Sequence, residues 1–234
     1  MVDDAAPDPA LAARLARARA AIADAARAAG RTPEELTLIV VTKFHPASLV
    51  RDLVSLGVLD VGENRHQEAQ RKAAALADLD LRWHFIGQLQ TKKARQVRRY
   101  ANVIQSIDRE ALVDALSGPL IDAPALVDGF VQVNLTDDPE RGGVAPDGVE
   151  ALVERVLETS SIRLRGVMAV APFGEPPRPA FARLRRISER VQQIAPDATA
   201  ISAGMSGDFV EAVAEGATHL RIGTAITGNR PAAI

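Results

Sequence analysis

The chain has 234 residues, with 28 Lys and Arg against 30 Asp and Glu, a formal net charge of −2 and no cysteine. Hydrophobic residues make up 47% and charged residues 25%, which excludes a disordered or fibrous chain and leaves room for a sizeable core. Without cysteine there are no disulfides, thiolate metal sites or cysteine nucleophiles, and the near-neutral balance argues against blanket nucleic-acid binding.

Residues 10–29 carry apolar positions at helical spacing (Leu11, Leu15, Ala18, Ile22, Ala25), and Gly30 is a natural stop. The run LTLIVVT (36–42) is continuous, apolar and β-branched, as in a strand buried on both faces. Alternation follows. Helices are predicted at 47–56, 64–77, 91–100, 109–117, 147–159, 179–194 and 207–215. Strands are predicted between them at 58–61, 82–87, 103–106, 128–135, 163–170, 199–202 and 219–223, with a short apolar tail last. Eight strands alternating with helices imply parallel strands with helical crossovers, and at this length they fit a single (β/α)8 TIM barrel with an extra N-terminal helix. A doubly wound open sheet is the rival, but it usually needs fewer strands. One domain over 1–234 is expected, with 1–9 as a flexible tail. No apolar run approaches the roughly 18 residues of a membrane span. The acidic start MVDDAAPDPA lacks the basic-then-apolar order of a signal peptide. A cytoplasmic location is the expectation.

Barrel chemistry sits at the C-terminal strand ends, and phosphate often binds the loops after strands 7 and 8. Strand 1 ends at Thr42-Lys43-Phe44. A lysine there faces a low-dielectric mouth, where desolvation favours the neutral amine, a nucleophile for carbonyl groups. The alternative is a lysine that merely reaches out to water. The only lysines are Lys43, Lys72, Lys92 and Lys93. In a chain that uses arginine almost everywhere, a retained lysine draws notice because only an amine can lose its proton. After strand 7 comes Ser202-Ala203-Gly204-Met205-Ser206-Gly207-Asp208, and at the end of strand 8 Arg221-Ile222-Gly223-Thr224. Glycines let backbone approach a ligand, and Ser206 reads as the N-cap of helix 207–215 or as a phosphate donor. Asn64 is expected to cap helix 64–77. His84 reads as a satisfied packing residue. The four histidines show no metal-ligand spacing, so no metal site is expected. Lys92, Lys93, Arg95, Arg98 and Arg99 read as a solvated basic helix face, with contact to phosphate or nucleic acid as the alternative.

The segments IVVTKFHP (39–46), VGENRHQEAQRK (61–72), WHFIGQLQTKK (83–93), IQSIDR (104–109), VQVNLTDDPERGG (131–143), LRGVMAVAP (164–172) and 202–230 occur in order over almost the whole chain after residue 35. Together they resemble the pyridoxal 5′-phosphate homeostasis protein family. The resemblance implies a barrel like the N-terminal domain of alanine racemase and the fold-type-III decarboxylases. It implies pyridoxal 5′-phosphate (PLP) as cofactor, held as a Schiff base by Lys43. Ser206, with backbone around Met205, Gly207, Gly223 and Thr224, matches the phosphate cradle. Arg221 matches the arginine facing the pyridine nitrogen, and Asn64 a position lining the pocket. Gln88, Arg141, Ala203 and Thr227 depart from the family's usual residues, none of them at these positions. The implied activity is intracellular PLP homeostasis or delivery, with apo PLP-dependent enzymes as partners, no nucleic acid, no membrane and a monomeric state. An amino-acid racemase is the alternative. It would need an acid/base on each face of the substrate. The only tyrosine is Tyr100, and a racemase's second, β-rich domain is not expected here.

Overall fold

The computed structural model describes residues 7–120, 123–138 and 140–229. Eight strands form a closed barrel in chain order, every pair parallel. They are β1 (Thr37–Val41), β2 (Asp60–Glu63), β3 (Arg82–Phe85), β4 (Val103–Ile107), β5 (Val127–Gln132), β6 (Ile162–Met168), β7 (Ala200–Ser202) and β8 (His219–Ile222). The helices are α1 (Pro9–Ala28), α2 (Ala47–Ser55), α3 (His66–Ala75), α4 (Ala94–Val97), α5 (Glu110–Leu116), α6 (Val149–Leu157), α7 (Pro177–Ile194), α8 (Phe209–Ala214) and α9 (Thr224–Thr227). The predicted barrel with a preceding helix is the observed fold. Among the described residues no helix is long and apolar enough to cross a membrane.

Glycine stops set several boundaries. After α1, Gly30 has φ 70°, Arg31 N–H donates to Ala26 O and Gly30 N–H to Arg27 O. After α2, Gly57 (φ 77°) and Val58 repeat the pattern, with Val58 N–H donating to Leu53 O. This turn satisfies the last helical carbonyls and consumes residues 57–59, so β2 starts two residues later than the predicted 58. Asp8 accepts from Ala10 N–H and Pro9 opens α1, so helix occupies the end of the segment expected as a tail; residues 1–6 lie outside the described ones.

α1 packs outside the barrel against α8 and α9. Arg14 Nε donates to Ile226 O at 2.6 Å, and Arg31 Nη1 donates to Ala217 O at 2.7 Å. The C-terminal segment expected as an apolar tail thus begins with α9, against which α1 packs; residues 230–234 lie outside the described ones.

The predicted helix 91–100 is a correction. It is a 3-10 turn (Thr91–Lys93) followed by the four-residue α4. Its basic face is also not uniformly solvated. Arg98 is 1% exposed and donates to Leu116 O, Gly118 O, Pro124 O and Ala125 O. The guanidinium draws the chain inward to satisfy carbonyls at the end of α5, while Lys92, Arg95 and Arg99 stay exposed.

Candidate functional site

The four strands that carry the singled-out residues are contiguous in the closed barrel, in the order β7-β8-β1-β2. Lys43 follows β1, Asn64 follows β2, Met205, Ser206 and Gly207 follow β7, and Gly223 and Thr224 follow β8. All lie at C-terminal strand ends, so the mouth of the barrel gathers them on one arc. Arg221 lies lower, within β8.

Register explains which side chains face the lumen. Gln105 of β4 accepts from Ser202 Oγ of β7 at 2.7 Å, a contact that crosses the barrel interior. Arg221 donates through Nη1 to the same Ser202 Oγ at 2.6 Å and through Nη2 to Ala169 O at 2.9 Å. Ile39 pairs in register with Arg221 and shares its inward face. Val41 and then Lys43 follow at a spacing of two.

A one-way hydrogen-bond chain runs across this lumen. Asp60 Oδ1 lies 2.8 Å from His84 Nε2, and Gln105 Nε2 lies 3.0 Å from His84 Nδ1. Burial alone would raise the Asp60 carboxyl, but the His84 hydrogen bond and nearby positive charge hold it below its usual range. An ionised carboxylate only accepts, which puts the ring proton on Nε2 and leaves Nδ1 to accept from Gln105. Each link from Arg221 through Ser202, Gln105 and His84 to Asp60 then has one donor and one acceptor. His84 is 2% exposed and is the satisfied packing residue the sequence suggests. Burial pushes the Arg221 guanidinium down to about 10, which leaves it a cation at neutral pH.

At the mouth, two capping expectations are corrected. Asp208, not Ser206, stands at the N-cap of α8, and its Oδ1 accepts from Met205 N–H at 2.6 Å. Ser206 instead accepts through Oγ from Ala225 N–H at 3.5 Å, linking the loops after β7 and β8. The N-cap of α3 is Arg65, not Asn64. Asn64 Oδ1 is buried with no hydrogen-bond partner among the described residues. A Cβ on Gly87 would come 2.1 Å from Asn64 O, so only glycine lets the β3 loop pack against residue 64. Gly204 has φ 92°, and a Cβ there would meet the Ala212 Cβ at 2.8 Å.

Lys43 is half-buried, with Nζ 6.0 Å from the centre of the Phe44 ring; the Arg65 guanidinium lies 5.2 Å from that ring. Beside this turn a cleft of about 330 Å³ is lined by Asn64, Arg65, His66, Phe85, Gln88 and Lys93, among others. A larger cavity of about 520 Å³ lies away from Lys43, beside Arg183, Arg186 and Arg190. Tyr100 stacks on His66 at 5.9 Å, with its hydroxyl 3.3 Å from Nδ1, and burial pushes its phenol pKa up. Among the described residues no His, Cys, Asp or Glu cluster could hold a metal ion.

Beneath Lys43 the structure gathers residues of the 61–72 segment, Glu63, Glu68 and Lys72, to which the sequence reading assigns no role. Lys72 of α3 is 6% exposed and Glu63, the last residue of β2, is 1% exposed. The available signal was the Glu68–Lys72 spacing of four on a helix, which puts the two side chains side by side.

Residues 13–231 match the family model for the alanine racemase N-terminal domain. Over 212 residues the chain is 40% identical to the pyridoxal phosphate homeostasis protein of Corynebacterium glutamicum, covering 87% of this chain and 94% of that one. It is 41% identical to the Mycobacterium leprae protein of the same name, covering 92% and 90% of the two chains. PipY of Synechococcus elongatus, solved with PLP bound, superposes with TM-score 0.78 at 34% identity over 93% of this chain and all (100%) of that one. Alanine racemase from Corynebacterium glutamicum shares the fold, with TM-score 0.71 at 14% identity over 96% of this chain and 62% of its own. The chain therefore belongs to the pyridoxal phosphate homeostasis protein family and, through its barrel, to that of the alanine racemase N-terminal domain.

Proposed function

We propose that this chain binds pyridoxal 5′-phosphate at the β7-β8-β1-β2 mouth and acts in PLP homeostasis, holding and delivering the cofactor as a monomer to apo PLP-dependent enzymes. The observation that carries the reading is the meeting of a primary amine, Lys43, with two joined glycine-bearing loops at one end of one barrel. The donor set fits the group. Asn64 Oδ1 is an orphaned buried acceptor, Gly207 has open space where a Cβ would stand, and Ser206 is free of helix capping. The relatives' names and the PLP-bound PipY structure support the same cofactor.

When bound, PLP supplies an aldehyde that condenses with amines and a ring whose electron demand rises with protonation of its nitrogen. Lys43 is the residue assigned to the aldehyde carbon. Ser206, with backbone at Met205, Gly207, Gly223 and Thr224, is assigned to the phosphate. Arg221 is assigned to the ring nitrogen, where a cation disfavours protonation and so weakens electron withdrawal. Its guanidinium is aimed by Ser202 Oγ and Ala169 O. That suits retention of the cofactor better than carbanion chemistry. Tyr100 is no ready base at neutral pH, because burial and the Glu63 charge both raise its phenol.

The test is the absorbance of the purified protein with PLP, followed by borohydride and peptide mapping. A band that borohydride bleaches, with the label on Lys43, is expected. A Lys43→Ala protein that keeps the band would overturn the assignment. Incubation with single L-amino acids in deuterated water separates the racemase reading, which requires rapid α-proton exchange and the D-isomer.

A further inference from the structure

A buried ionic cluster lies directly under the turn that carries Lys43, and none of the roles assigned to the mouth residues uses it. The Lys72 ammonium donates to Thr42 O at 2.8 Å, to Glu63 Oε1 at 2.6 Å and to Glu68 Oε1 at 2.7 Å. These three acceptors fill the three donors of an ammonium, and they come from the end of β1, the end of β2 and α3 itself. Thr42 Oγ1 donates to Glu63 Oε1 at 2.6 Å. Phe44 N–H donates to Glu68 Oε1 at 2.5 Å. Both chain neighbours of Lys43 are therefore tied to the cluster through backbone atoms.

Phe44 has φ 69°, the only positive φ at a non-glycine among the described residues. A bulky residue keeps that conformation only where its surroundings over-determine it, and such strain gathers at functional positions. Here the Glu68 carboxylate adds a constraint to that of the turn itself, in which His45 N–H donates to Thr42 O at 3.1 Å. Replacing a buried ion pair with apolar side chains is often neutral or stabilising, so stability alone is a poor reason to keep this one. Glu63 underlines the cost. Its Oε2 has no partner among the described residues, and burial pushes its carboxyl pKa up despite Lys72.

We propose that Glu63, Glu68 and Lys72 are positioning residues for Lys43: they hold the 42–44 turn in its left-handed form and so fix where the amine meets a carbonyl carbon. The inference rests on the reading of Lys43 as the PLP lysine. It adds three residues that do not touch the reacting atoms and a reason for a second retained lysine.

The test compares wild type with Glu68→Ala, Glu68→Gln and Lys72→Met. Hydrogen–deuterium exchange at the Phe44 amide is read in cofactor-free protein. The rate of PLP attachment is read by absorbance and borohydride trapping. Glu68→Ala should speed Phe44 exchange and slow attachment by about ten- to hundredfold, the scale of a small misplacement of a reacting group. Glu68→Gln keeps an oxygen that accepts from Phe44 and should recover attachment to within about threefold of wild type. Rescue of that kind separates positioning from bulk stability, as does an unchanged melting temperature in Glu68→Gln. If wild type forms the Lys43 adduct and Glu68→Ala forms it as fast, the positioning proposal alone is overturned. If wild type forms no borohydride-stable adduct at Lys43, the cofactor reading falls and this proposal with it. A Lys72→Met protein that fails to fold leaves the Glu68 pair to decide.

Discussion

Ser206 and Asp208 are two residues apart, and the structure divides between them two jobs that local sequence rules give to one. Asp208 stands at the N-cap of α8 and turns its carboxylate back to Met205 N–H, so Ser206 Oγ faces the β8 loop instead. Under the proposed function, Ser206→Ala removes one hydrogen bond to a charged group. Cofactor affinity should fall by about 1.5–3 kcal/mol, with little change in melting temperature. A fluorescence or absorbance titration checks this, and unchanged affinity would count against the phosphate role. Gly204 is the stricter residue. At φ 92°, with Phe209 Cα 2.9 Å from where a Cβ would stand, Gly204→Ala adds backbone strain to a clash. A loss of about 1–3 kcal/mol from strain alone is expected in urea unfolding, with overpacking adding to it. Lys43 and Ser206 stand out in the sequence because each lies just past an apolar strand, and Arg221 because it stands inside one. Lys72 does not, since a lysine on a polar helix reads as solvated until the helix is docked.

At the scale of elements, boundaries follow local chemistry wherever a glycine stop is present. α1, α2 and α8 each end in the same glycine turn, with Ala217 N–H donating to Ala212 O after α8. The predicted helix 91–100 fails because its period does not reveal that Arg98 points inward. Its four carbonyl acceptors join α4 to the end of α5 and to the segment before β5. Arg98→Met keeps a long apolar stem and leaves those carbonyls unsatisfied. It should cost about 3 kcal/mol or more in equilibrium unfolding, given roughly 1.5–3 kcal/mol for a hydrogen bond to a charged group. Amide exchange in α5 should rise with it. A variant as stable as wild type would show that water replaces the guanidinium without loss.

For the whole molecule, the barrel lumen is polar at its axis and sensitive to acid. His219 packs edge-on against Phe130 at 5.2 Å, and burial, aided by the neighbouring His84, lowers its pKa to about 4. Burial lowers His84 as well, against the pull of Asp60. The sign follows from linkage. In the unfolded chain these rings protonate near 6.5, while folded His219 stays neutral until about 4. The contribution of His219 to folding stability is thus complete above pH 6.5 and is lost as pH falls from 6.5 to about 4. One such histidine contributes a slope of up to about 1.4 kcal/mol per pH unit. His219→Gln should flatten the unfolding free energy over that window, and an unaltered slope would place the acid sensitivity elsewhere.

The order of strands and helices and the parallel eight-stranded barrel were present in the chain's apolar periodicity and glycine placement, as were the candidate positions after strands 1 and 7 and at strand 8, because those features act over a few residues. Which side chains cross the lumen, which arginine is buried and what lies under Lys43 were decided only by how the elements pack together. Closure pairs β8 with β1 and so sets the loops after β7 and β8 beside Lys43, while the pairing of β1 with β2 and the docking of α3 set Glu63, Glu68 and Lys72 within hydrogen-bond reach of the residues on either side of Lys43. Local patterns such as the Glu68–Lys72 spacing place side chains on one face, but none encodes which other element that face will meet once the chain has folded.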